Sequence, residues 1–279
     1  VSTDFQQARV LLGGRLRELR VDAHLTGRDL ADRLGWPQSK ISKLETGRQT
    51  ATEDDVRAWA RGTGSPAASE LVARLRTLET HYRSWRRQLA AGHAPVQDAL
   101  RSEYERSHVM RAWEGAMIVG VLQTAEYARH IFAGYQRLHQ SVRDLDDAVR
   151  ARIRRQDVLY APGKQFHIVM SEAALSTLVC PPAVMLGQLD RLAGVIGMDT
   201  VRLGFIPLGA RLEIPPANAF WVFDDRLVIA EDWHAELWLE EGENVALYLR
   251  VWQMLADSAV FGQGAQHVIA RARRSLPSS

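Results

Sequence analysis

The sequence predicts an α + (α+β) chain: an all-helical N-terminal domain followed by a larger mixed α+β domain. Three observations predict this. The 279 residues exceed what one usual domain holds and suit one small and one larger unit. Residues 1–64 carry helical periodicity in their apolar residues, with closely spaced punctuation. From about residue 165, short runs rich in β-branched and aromatic residues alternate with helical stretches.

In the first 64 residues, Val10, Leu11, Leu12, Leu16, Leu19 and Arg20 suit an amphipathic helix that breaks at Asp22, Ala23 and His24. Thr26 can N-cap a second helix over 27–34, with Leu30, Ala31 and Leu34 on its inner face. Gly35 stands where a left-handed residue ends that helix. Pro37 suits the first turn of a third helix, where its missing N–H costs nothing, and Gly47 stops it. Thr52 followed by Asp55 resembles a capping arrangement for a fourth helix carrying Val56, Trp59 and Ala60. Residues 62–66 (Gly, Thr, Gly, Ser, Pro) close the domain.

Residues 65–111 are expected to form a linking helical region, because Leu71, Leu75, Leu78, Tyr82, Trp85 and Leu89 recur at helical steps. Its apolar side must pack on something, a dimer partner or the second domain. The domain over 112–279 reads as helices over 124–138, 144–160 and 184–197, and strands over 165–170, 200–206, 219–223 and 227–230. Asp224 and Asp225 make a tight hairpin between the last two strands. A long helix over 243–261 and a basic tail at 271–274 follow.

Composition bounds the function. A 46% hydrophobic and 24% charged chain is of ordinary globular type, and no apolar run reaches the 18 residues of a membrane span. No signal-peptide order opens the sequence. The lone Cys180 suits a reducing compartment and an inert thiol, so the expected location is the cytoplasm. The net charge of +2 does not itself point to nucleic acid. Its distribution is more informative: residues 1–64 hold 11 Lys/Arg against 9 Asp/Glu, whereas residues 219–262 hold 2 against 9. One end suits an anionic partner and the other would be repelled by it. Two of the three lysines, Lys40 and Lys43, fall within four residues of the first domain.

The decisive stretch is 25–47. Two short helices joined by a turn at Gly35 must bury a shared apolar face, supplied by Leu30, Ala31, Leu34, Ile41 and Leu44. Ser39, Lys40 and Lys43 then lie on the outward side of the second helix. Side chains near the start of such a helix reach base edges in the major groove. Gln38 can contact adenine with two hydrogen bonds, and Lys40 or Lys43 can donate to guanine or phosphate. Thr26, Arg28 and Arg48 are placed to hold the DNA backbone. The competing reading is a helical hairpin for protein contact whose lysines are merely solvated.

Leu30, Ala31, Gly35, Gln38, Ile41, Ser42, Leu44, Glu45 and Gly47 make this stretch closely resemble the Cro/phage-repressor, or XRE-type, helix-turn-helix family. The resemblance covers about 55 residues and implies a five-helix, lambda-repressor-like DNA-binding domain. It also implies that Arg20, late in the first helix, pairs with Glu45 at the end of the recognition helix. His24 departs from the pattern, where glycine is common, and Ala51 replaces a frequent proline.

Residues 65–275 resemble the large C-terminal region of actinobacterial helix-turn-helix regulators. The resemblance is carried by segments at 120–129, 152–159, 171–175, 187–192, 205–207 and 220–224. Val119, Val121 and Ala125 depart from it. It implies transcriptional control, often in antitoxin-like pairing with a small protein encoded nearby, and gives no ligand.

Catalysis is not expected. The carboxylate pairs Asp224/Asp225, Glu231/Asp232 and Glu240/Glu241 suit solvated turns or helix faces. The nine histidines show no metal-ligand spacing, and no phosphate loop or nucleophile elbow occurs. No cofactor and no metal is therefore expected. Trp113, Trp221, Trp233, Trp238 and Trp252 could line a small-molecule pocket, but core or dimer interface is the expectation. Trp85, Trp113 and Trp252 fit helical apolar faces and are the core candidates. The acidic stretch 224–243 is expected to be a solvated face.

The sequence thus reads as a DNA-binding transcriptional regulator that pairs as a homodimer on a palindromic site in double-stranded DNA. The alternatives are an antitoxin-like protein that sequesters a small partner protein and autoregulates, and a ligand-gated sensor of unknown effector.

Overall fold

The structure, a computed structural model, describes residues 3–277, with side chains described for 9–75 and 83–277. The chain divides into two compact units, residues 1–82 and 83–279.

Among the described residues, the first unit is five helices: α1 (Thr3–Asp22), α2 (Gly27–Leu34), α3 (Gln38–Glu45), α4 (Glu53–Thr63) and α5 (Ala68–His81). Leu12, Leu16, Leu30, Ile41, Trp59 and Leu71 are among the residues of its one core. The Trp59 indole N–H donates to the Leu16 carbonyl at 3.0 Å, satisfying the only polar atom that side chain buries. Local sequence sets the boundaries. Thr26 and Asp29, and Thr52 and Asp55, form reciprocal capping boxes at the starts of α2 and α4. Gly35 ends α2 at φ +65°, a conformation that costs a residue with a Cβ more. His24 stands at φ +55°, the strained position the sequence marks.

The expected linking region over 65–111 is not one helix. Its first part, α5, buries Leu71 and Leu75 in the first core and is the fifth helix of that unit. Leu78 and Tyr82 fall outside the residues whose side chains are described. The remainder belongs to the second unit, and breaks because Gly92 sits at φ +96° ahead of Pro95.

The second unit begins within β1 (Tyr82–Ser84) and contains α6 (Trp85–Gln88), α7 (Ala94–Arg106), β2 (Val109–Glu114), α8 (Ala125–His139), α9 (Leu145–Arg155) and β3 (Gln165–Ser171). Then come α10 (Ala173–Ser176), α11 (Pro182–Val195), β4 (Val201–Ile206), β5 (Phe220–Phe223), β6 (Leu227–Glu231), β7 (Ala235–Leu239), α12 (Gly242–Asp257), β8 (Val260–Phe261) and α13 (Gln263–Ser275). The eight strands form one mixed sheet in the order β1-β7-β6-β5-β2-β3-β4-β8. β2, β3 and β4 run parallel in its middle, and β5, β6, β7 and β8 pair antiparallel. Parallel neighbours need long crossovers, which α8 with α9 and α10 with α11 provide.

One sheet face carries Met110, Ala112, Ile168, Phe223 and Ile229 in a core shared with residues of α8, α11 and α13. The other carries Trp113, Val169, Val222 and Val228 against α12. Lys164 closes the end of α7: its ammonium donates to the carbonyls of Tyr104, Glu105 and Ser107 at 3.0, 2.5 and 2.5 Å.

Several sequence expectations change. Trp113 is buried as expected, but in β2 and not on a helix, because a central strand covered on both faces shows no clean alternation. Trp252 is core on α12, and its indole donates to the Ala112 carbonyl at 3.1 Å. Trp85 is only half-buried and is not core. The long helix ends at Asp257, the basic tail is the end of α13, and β7 is an additional strand. The turn between β5 and β6 spans three residues, with Asp224 at φ +54°. The acidic stretch is not wholly a solvated face: Glu236 is 1% exposed. Among the described residues, no helix is long and apolar enough to cross a membrane.

Candidate nucleic-acid interface

α3 is eight residues whose apolar members, Ile41 and Leu44, are buried. At 100° per residue this leaves one continuous outward strip, formed by Gln38, Ser39, Ser42, Lys43 and Thr46, all exposed. Ser42 is not among the expected site residues, although at 100° per residue it falls between Gln38 and Ser39. Gln49, exposed in the following loop, is a second such residue.

Two contacts fasten the end of α3 to α1. The Arg20 guanidinium grips Glu45 with two hydrogen bonds, at 2.5 and 3.0 Å, and its third arm donates to the Leu25 carbonyl at 2.8 Å. One side chain thus ties the end of α1, the loop before α2 and the end of α3. The hydrogen bonds to Glu45 raise the Arg20 pKa against the opposing effect of burial. The second contact is backbone on backbone: a Cβ at Gly13 would stand 2.5 Å from the Leu44 carbonyl oxygen. Only glycine lets α1 approach the end of α3 this closely.

Lys40 is a correction to the outward reading. It lies at the flank of the strip, half-buried, with its ammonium 2.6 Å from the Asp55 carboxylate and 3.8 Å from the centre of the Trp36 ring. Burial would raise the Asp55 carboxyl, but hydrogen bonds from Lys40 and the Thr52 N–H outweigh it and hold it below its ordinary value. Lys40 therefore braces α3 against α4. Thr26 is exposed, but its hydroxyl donates to Asp29 at 2.7 Å and accepts from the Asp29 N–H, so it acts first as a cap. Arg28, near the start of α2, and Arg48, in the loop after α3, are both exposed.

A comparison of the chain with family models assigns both halves. Residues 96–271 match the domain of unknown function DUF5753, well over half the sequence. The chain belongs to the DUF5753 family. The DUF5753 match begins within α7, and residues 11–75 match a helix-turn-helix domain, which spans all five helices of the first unit in whole or part. No curated protein matches this DUF5753 chain. Among solved structures, an archaeal chromatin protein, TrmBL2, reported to show a novel mode of DNA binding, is similar to it at 12% identity. The alignment covers 74% of this chain and 68% of that one with a TM-score of 0.32, too slight a likeness to carry an argument.

Proposed function

We propose that the chain is a sequence-specific DNA-binding transcriptional regulator that lays α3 in the major groove and acts as a homodimer on a palindromic site. The observation that carries the reading is the strip of short polar side chains with Lys43 on an eight-residue helix fastened by Arg20–Glu45. Gln38 and Lys43 supply base-edge hydrogen bonds, Ser39 and Ser42 lie beside them, and Arg28 and Arg48 flank the strip for phosphate contacts. Pairing follows from size, since one short recognition helix makes few contacts and two-fold symmetry doubles them. The XRE-type subfamily fits the same residues. Nothing in this reading requires catalysis.

The test is fluorescence anisotropy with DNA from upstream of the chain's own gene. A Gln38→Ala/Lys43→Ala variant should bind at least about tenfold more weakly while melting as the parent does, given about 1–3 kcal/mol per good base contact. Unchanged affinity removes α3 from the groove.

A further inference from the structure

The second unit holds a cavity of about 750 Å³ in its α8/α9-facing half, within the size range of small-molecule sites. Its floor is the end of the sheet. The cross-strand partners Ala112, Trp221, Ile229 and Trp238 form one row of side chains on a single face. Alternation places Glu114, two residues after Ala112, on that face, together with Glu231 and its partner Glu236. Directly opposed like charges on neighbouring strands disfavour a sheet, so this row has no structural recommendation.

The facing wall belongs to α9, where Arg152 and Arg155 stand one turn apart. The Arg152 guanidinium donates to Gln97 at 3.0 Å and Gln123 at 2.6 Å and lies 4.3 Å from the Phe132 ring centre. Arg155 is 3% exposed, and its Nε and Nη1 have no hydrogen-bond partner. Gly120 adjoins this pair; a Cβ there would stand 3.0 Å from Arg155 Nη2. On the acidic side, Glu114 and Glu236 are 3% and 1% exposed. Each has one satisfied oxygen: Glu114 Oε1 accepts from the Ala116 N–H at 3.0 Å, and Glu236 Oε2 accepts from Trp238 at 3.0 Å and Gln88 at 3.2 Å. Each also has one oxygen with no partner. Burial, with the Glu236 and Glu114 charges, raises the Glu231 carboxyl to about 8.

Buried polar atoms are almost always paired, and a buried unpaired charge is costly. Here arginine donors and carboxylate acceptors both line one cavity and yet do not satisfy each other. Well-packed apolar residues in place of buried charges are often neutral or stabilising for a fold, so the arrangement suits a ligand that supplies both missing partners. We infer that this cavity is a binding site for a zwitterionic small molecule with an aromatic or apolar body. Arg155 beside Arg152 takes its anionic group, and Glu114, Glu231 and Glu236 take its basic nitrogen. Tyr135 and Trp221 line the same cavity and offer their rings to the body. This is independent of the DNA-binding reading and rests on the second unit alone.

The test is calorimetry on the full chain with matched probes. One set is phenylalanine, phenethylamine and 3-phenylpropionate; the other is phenylalanyl-phenylalanine, its C-terminal amide and its N-acetyl form. In at least one set the zwitterion should bind at least about tenfold more tightly than either singly charged analogue, as expected for losing a charge-assisted hydrogen bond. Arg155→Gln should abolish the preference over the amine-only probe, and Glu236→Gln the preference over the acid-only probe. No zwitterion preference in either set overturns the proposal, as does preference retained in both variants. The parent comparison decides the matter even where a variant fails to fold.

Discussion

Arg20 shows how much one side chain decides in the first unit. It joins three segments through Glu45 and the Leu25 carbonyl while both partners' side chains are only about one-tenth exposed. Arg20→Ala leaves Glu45 largely buried without its cation, and should lower stability by about 2–4 kcal/mol in thermal melts followed by circular dichroism. A shift within error would show the pair to be energetically silent. Glu231 makes a pH-dependent statement of opposite character. Its carboxyl is raised in the folded chain, so the unfolded chain loses that proton first as pH rises. The stability it contributes is complete below the ordinary carboxyl range near 4.5 and is lost on passing toward 8. Glu231→Gln should therefore raise the melting temperature more at pH 8 than at pH 5. Equal shifts at both pH values would refute the assignment.

At the level of elements, α1 and α3 are positioned by what is missing at Gly13. A Cβ there would enter the backbone of Leu44 and Glu45, whereas at Gly14, one residue on, it would meet nothing within 4 Å. The two glycines should thus respond in opposite senses. Gly14→Ala should stabilise by about 0.5–1 kcal/mol through helix propensity alone, while Gly13→Ala should force the helices apart, lowering the melting temperature and weakening DNA binding together. Two stabilising substitutions would mean that α1 does not press on α3. The starts of α2 and α4 and the stop of α2 were legible because Thr26, Gly35, Thr52 and Asp55 act within a few residues of where they stand. The strands β2 and β7 were not. Trp113 lies in a central strand covered on both faces, where burial erases the two-residue period that identifies a strand.

For the molecule as a whole, a net charge of +2 provides little long-range attraction for DNA. Affinity must then come from local phosphate contacts, and it should fall steeply with salt, with a log–log slope of roughly −0.9 per phosphate neutralised. Titrations between about 50 and 200 mM salt test this, and a flat response would argue for a protein partner in place of DNA. The same titrations on one half-site and on the full palindrome test pairing: a dimer makes half of its specific contacts on the half-site and should bind it at least about tenfold more weakly, whereas a monomer should bind the two within about twofold.

The sequence alone determined the helices of residues 1–64, the caps and turns around α2, α3 and α4, and most of the α3 strip, because caps, turns and helical spacing are short-range physics; the Arg20–Glu45 pair, 25 residues apart, followed from the family resemblance. The sequence also carried the mixed α+β class of the second unit and the burial of Trp113 and Trp252. Only the tertiary structure decided that Lys40 braces Asp55 and Trp36, that α5 completes the first core, and that Glu114, Glu231 and Glu236 share a cavity with Arg152 and Arg155. Those meetings depend on sheet register and on helices distant in the chain. A side chain's charge can be read from its letter, but whether it faces water or another charge is settled by what folds against it.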